Sequence, residues 1–207
     1  MRTVNVVFSS ITLVAVVVAP AIADEQSPRT LKGTYAVSGS ANCNFSSATF
    51  LPVYVPPTGF TQNFAPIGHA SSNSFSLNGI WSFNEDGTGA AASRVVSLGD
   101  PDPGDNGAAS AIDTSSAFTY SIAADGTLTL NQGPINSVFI AGPRTGQQTQ
   151  VTDTPTIVGR VSTNKSTLVF GSFNPGVETT TRLDSGLVES VRICHRANTA
   201  VRIDPGE

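Results

Sequence analysis

Charge is scarce in this sequence. Asp, Glu, Lys and Arg make up 13% of its 207 residues, about half the share of roughly 25% usual in soluble domains. Lysine is nearly missing, with only Lys32 and Lys165, and no cluster of basic residues occurs. The formal net charge is −4. These lacks exclude the electrostatic footprint of a nucleic-acid binder and disfavour attraction to an anionic membrane surface. Cysteine is limited to Cys43 and Cys194, and histidine to His69 and His195. Without C-x-x-C or H-x-x-x-H spacing, a zinc site is not expected. There is no G-x-S-x-G nucleophile motif, so neither histidine has an obvious partner for acyl-transfer chemistry. No cofactor is expected.

Long apolar runs are also missing, with one exception. Val6–Val18 carries no charge and follows Arg2, and Ala21-Ile22-Ala23 then supplies a small-x-small cleavage pattern before Asp24 and Glu25. The run is short of the ~20 residues of a transmembrane helix and ends in a cleavage signature. Residues 1–23 are therefore expected to be a signal peptide. The mature chain, residues 24–207, would be a single domain without a transmembrane segment, periplasmic or secreted. Export makes the even cysteine pair readable as a Cys43–Cys194 disulfide.

Hydrophobic residues reach 39%, enough for a core, and their spacing is that of strands. Period-2 alternation of β-branched and aromatic residues recurs from Leu31 to Ser40, Ser74 to Asn84 and Ala90 to Leu98. It continues through Phe118–Ile122, Leu128–Leu130, Ile135–Ala141, Gln147–Val151, Thr156–Ser162, Thr167–Phe173 and Gly186–His195, with a short tail at Ala200–Ile203. Asp86-Gly87-Thr88 and Asp125-Gly126-Thr127 mark tight turns. The pattern predicts an all-β antiparallel meander of about nine or ten strands. Unpaired strand edges promote aggregation, so a closed up-and-down β-barrel is favoured, and a two-sheet β-sandwich is the alternative. Two segments fall outside the meander, the Pro-rich aromatic stretch Phe45–Gly68 and the acidic loop Gly99–Ala111.

Gly33-Thr34-Tyr35 resembles a relaxed form of the G-x-W opening of lipocalins, eight-stranded barrels that carry small apolar molecules. The resemblance implies that Arg192 or Arg196 of the last strand packs over the Tyr35 ring. Leu31–Tyr35, Phe83–Gly89 and Arg192–Arg196 also resemble small exported bacterial proteins of unknown function, which imply no activity.

Three functional readings follow. The first is an exported, non-enzymatic barrel holding a small apolar ligand at its mouth, with Phe50, Tyr54, Phe60, Phe64 and Trp81 as candidate contacts. Trp81 is also a natural core residue on its alternating strand. The second is a structural or adhesion protein of the cell envelope, which predicts no internal cavity together with an exposed apolar patch or an unprotected sheet edge. The third is an enzyme on a β scaffold, which predicts a cleft gathering His69 or His195 with carboxylates. Asp100, Asp102 and Asp105 form a weak calcium candidate, because no glutamate closes the loop at the spacing such sites use. An outer-membrane barrel is not expected, because the strands read as too short and the aromatics as too few.

Overall fold

The computed structural model describes residues 30–46, 59–67, 70–98 and 108–203. The expected leader, Phe50, Tyr54, His69 and the Asp100–Asp105 loop lie outside the described residues.

Eleven antiparallel strands form one sheet: β1 (Gly33–Ser46), β2 (Ala70–Phe83), β3 (Thr88–Leu98), β4 (Ser110–Ile122), β5 (Thr127–Gln132), β6 (Ile135–Ala141), β7 (Gln148–Thr152), β8 (Ile157–Val161), β9 (Thr167–Gly171), β10 (Val177–Arg182) and β11 (Val188–Arg202). There is no helix among the described residues. The all-β meander read from the alternation is present, with one or two strands more than expected. β10 is new, and the last strand and the tail are one continuous strand, β11.

The pairing reduces eleven strands to eight legs. β4 pairs with β6 along Ala111–Ser115 and with β5 along Phe118–Ile122. β11 divides in the same way, meeting β10 along Val188–Ile193 and β9 along Ala197–Val201. β5 and β6 are thus two segments of one leg, as are β7 with β8 and β9 with β10. Each interruption carries a proline: Pro134, Pro155 and Pro175. Proline lacks the N–H that a ladder needs and fixes φ, so a strand breaks or bends there. The eight legs run up and down in sequence order, and the first pairs with the last to close a barrel-like ring. One continuous sheet replaces the sandwich alternative.

Both Asp-Gly turns form as the sequence predicts. Gly87 and Gly126 take positive φ values of 81° and 84°, which glycine adopts at little cost. The preceding aspartates accept hydrogen bonds from Thr88 and Thr127 through backbone N–H and hydroxyl alike. Thr127 first, and Arg160 in addition, hold the Asp125 carboxyl down at about 2.

Inside the ring, one end is solid. It is the end at which Tyr35 is buried. Trp81, Phe83, Phe118 and Tyr120 interlock, with Phe83 5.0 Å from Phe118 and 5.2 Å from both Tyr35 and Tyr120. Aliphatic side chains from the far wall (Leu128, Leu130, Ile157 and Leu168) complete the cluster. Leu31 plugs the opening. Its N–H donates to the Tyr120 hydroxyl at 2.9 Å, and that oxygen lies 2.7 Å and 2.6 Å from the carbonyls of Leu31 and Asn84. Trp81 is therefore held in the core on its strand, 4% exposed.

The long strands correct one premise of the sequence reading, since β1, β2, β3, β4 and β11 run 11 to 15 residues. What argues against a lipid-facing exterior is its chemistry. Ser72 and Ser74 donate to Asn44 and Asn42 at 2.8 Å, and Arg94 forks onto Asp113 at 2.8 and 3.0 Å. Lipid-facing strands carry apolar side chains at such positions. No helix of the described residues is long and apolar enough to cross a membrane.

Twelve register pairs join β1 to β11, from Tyr35 opposite Arg202 to Ser46 opposite Val191. Cys43 stands directly opposite Cys194, and the two form the expected disulfide. The covalent loop spans a separation of 151 residues, so it constrains the unfolded chain strongly. Removing it in C43S/C194S is expected to lower stability by about 2–4 kcal/mol and the melting temperature by roughly 4–16 °C. An unchanged thermal melt would mean that the strand pairing alone fixes the seam.

Candidate functional site

The other end of the ring, the Cys43 end, is hollow. A cavity of about 160 Å³ opens there, with Trp81 and Ile157 where the solid core begins. Its origin lies in side-chain size. At the Tyr35 end the inward positions carry rings and leucines throughout, whereas at the Cys43 end Phe45, Phe75, Ile112, Phe139 and Val151 alternate with the small or polar Ala41, Cys43, Asn73, Ser97, Ser137 and Thr149. Several hydroxyl side chains thus point inward. They leave space that a jigsaw-packed interior would fill.

Three guanidinium groups border this space: Arg144, Arg192 and Arg196. Arg192 and Arg196 share one carboxylate. Glu178 of β10 is completely buried; its Oε2 accepts from Arg192 Nε at 3.1 Å and from Arg196 Nη2 at 2.7 Å, and its Oε1 pairs with Arg196 Nη1. Burial by itself would raise the Glu178 pKa. The charges and hydrogen bonds of Arg196 and Arg192 outweigh that and hold the carboxyl below its ordinary value, so it is ionised at neutral pH. Burial also pulls Arg192 down from the ordinary arginine value, against the pull of Glu178. The Arg192 guanidinium stands over Phe75 and Phe45, 5.5 and 5.9 Å from the ring centres, a favourable placement for a cation.

Arg144 approaches from the β6–β7 turn. It pairs with Glu189 and lies 4.2 Å over the Phe139 ring. Among the described residues, three polar atoms in side chains bordering the cavity have no hydrogen-bond partner: Asn73 Oδ1, Thr180 Oγ1 and Asn198 Oδ1. All three residues are more than nine-tenths buried. Buried polar atoms usually have partners, so the wall here holds unused hydrogen-bonding capacity.

No protein-family model and no curated protein matches this chain.

Of the contacts predicted from sequence, the structure brings Trp81 to the cavity. It does not bring Phe60 or Phe64. The described part of the Pro-rich stretch folds back as a small Phe60–Pro66 bridge and covers the seam on its outer face, where Ser46 Oγ donates to Ile67 O at 2.8 Å and Gly59 lies against Ser46 and Val191. Phe60 is buried in that arrangement and Phe64 is exposed. Phe50, Tyr54, Asp100, Asp102 and Asp105 lie outside the described residues.

The arginine expectation also needs correction. Neither Arg192 nor Arg196 reaches the Tyr35 ring, because the register sets them opposite Phe45 and Ala41, several pairs along the seam from Tyr35. His195 is exposed on the outer face, pointing away from the cavity that Arg196 lines. Among the described residues no cluster of His, Cys, Asp and Glu is suited to a metal.

Sequence reasoning missed Glu178, Arg192 and Arg196 as a unit. A signal was present: Arg192, Cys194 and Arg196 alternate on one strand, so a buried disulfide sends both arginines inward.

Because the folded carboxyl of Glu178 is depressed, its contribution to stability is fully present above the unfolded value of about 4.3. It is lost as pH falls through the lower folded value. E178Q leaves two enclosed guanidinium groups without a carboxylate and is expected to cost about 3–5 kcal/mol at pH 7. The gap to wild type should narrow below about pH 4. Denaturant titrations at the two pH values check this, and equal midpoints at pH 7 would contradict the ion-pair account.

Proposed function

We propose that this chain is an exported, non-enzymatic binding protein that holds a small, partly apolar molecule inside the Cys43 end of its ring. The observation that carries the reading is the coexistence of a fully packed half with an interior cavity whose wall combines apolar side chains, guanidinium groups and unpartnered polar atoms. A mainly apolar wall with a few convergent polar groups is the usual make-up of a ligand pocket. A cavity of this kind is the opposite of what the structural or adhesion reading predicts. The exposed outward position of His195 gives the enzyme reading no support at that residue. The Cys43–Cys194 disulfide fits an oxidising compartment, in line with the export expected from residues 1–23.

The reading places the ligand deeper than the mouth, against Trp81 rather than among the aromatics of the Pro-rich stretch. Ser137 is buried and lines the cavity, so S137L would occupy part of the space, and overpacking of this kind typically costs about 1–3 kcal/mol. Native mass spectrometry of protein purified from its own host is expected to show a non-covalent adduct that S137L retains far less. A bare mass, or an adduct held equally by both proteins, would overturn the reading.

A further inference from the structure

The cavity is cationic inside an acidic protein. The whole chain carries a formal −4, yet among the described residues three arginines border the cavity while two buried or nearly buried carboxylates, Glu178 and Glu189, answer them. Arg182 also lies 3.5 Å from Glu189 through Nε, but it has Asp184 as its own carboxylate at 3.2 and 3.0 Å, so the excess positive charge rests on the Arg192–Arg196 pair. Arg192 and Arg196, with side chains 16% and 12% exposed, divide the single charge of Glu178 between them. A poorly solvated positive charge without a full counter-charge is costly. A guest that brings one negative charge removes that cost, which an equally shaped neutral guest cannot do.

We infer that the ligand is a small organic anion, a carboxylate on an apolar body of about one-ring size, bound with its carboxylate at the Arg192–Arg196 pair. This rests on the binding reading above and adds the class of ligand. Three observations support it besides the charge. Arg196 presents both Nη1 and Nη2 to Glu178, whereas Arg192 meets it through Nε alone, so the rest of the planar Arg192 guanidinium is left to match a carboxylate's two oxygens. The Thr180 hydroxyl, which has no hydrogen-bond partner among the described residues, lies in the wall that contains the arginines and can donate to the anion. Phe75, Ile112, Phe139 and Val151 offer an apolar surface for the body. The size follows from the volume: about 160 Å³ is well below the roughly 300–1,000 Å³ of pockets for drug-sized molecules.

The test compares two probes of nearly equal shape, phenylacetate and phenylacetamide, by titration calorimetry on the intact, disulfide-bonded protein at pH 7. The acid is expected to bind about tenfold or more tightly than the amide, in keeping with the strength of charge-assisted hydrogen bonds. R196Q leaves Arg192 and Glu178 as a one-to-one pair, so it should abolish this preference, bringing the affinities of acid and amide together. E178Q, if folded by circular dichroism, should strengthen binding of the acid. Equal binding of acid and amide, or a preference that R196Q leaves intact, overturns the anion inference while the binding reading stands. Failure of both probes to bind also overturns it, and a native adduct that proves neutral does the same. A bare native mass removes the binding reading itself.

Discussion

The pairing of β1 with β11 is the constraint on which the rest of the structure depends. Twelve register pairs and one disulfide join the first leg to the last. Without that seam the sheet would be an open meander with two long free edges, and neither half of the interior would be enclosed. The seam also fixes parity. With Cys43 and Cys194 facing inward, alternation sends Phe45, Arg192 and Arg196 to the inside and Asn42, Asn44 and His195 to the outside. One cross-strand pair thus determines which side chains meet in the cavity.

The prolines determine how the interior is divided. Three consecutive legs are interrupted by Pro134, Pro155 and Pro175, so β5, β8 and β9 enclose the solid end while β6, β7 and β10 enclose the hollow one. The two ends obey different physics. At the Tyr35 end, interlocked rings and leucines exclude water, and stability comes from buried apolar area. At the Cys43 end, small hydroxyl side chains leave room, and an enclosed Glu178 holds two arginines in place. A buried ion pair is a weak source of stability when compared with apolar packing. Its presence beside a cavity makes more sense as the means of placing charge where a guest can meet it.

Much of the fold was legible in the sequence. The inward faces of β1 and β2 are the alternating sets Tyr35–Val37 and Phe75–Leu77–Trp81–Phe83, and the Asp-Gly turns stand where their chemistry requires. β10 escaped because Val177–Arg182 has almost no apolar alternation: its inward residues are Glu178 and Thr180, which read as surface until Arg192 and Arg196 are known to face them. The extension of β1 through Ser46 escaped because Ser, Asn and Cys replace the β-branched residues that mark strands. The same substitution hid the cavity. Inward Ser and Thr look like solvent-facing Ser and Thr in a sequence, and only the register distinguishes them. Phe60 misled for the converse reason: an aromatic in a Pro-rich stretch suggests a ligand contact, but here it is buried in the segment that folds back over the outer face of the seam.

The central claim is that a ring closed through β1 and β11 keeps one half of its interior for a small guest, received between Trp81 and the Arg192–Arg196 pair. A crystal structure of the protein grown with 4-bromophenylacetate tests it most directly, because the bromine can be located by its anomalous scattering. The account predicts bromine density inside the ring at the Cys43 end, with the carboxylate within hydrogen-bonding distance of Arg192 or Arg196. Bromine density only on the outer surface, or an interior at that end filled by repacked side chains, would contradict it.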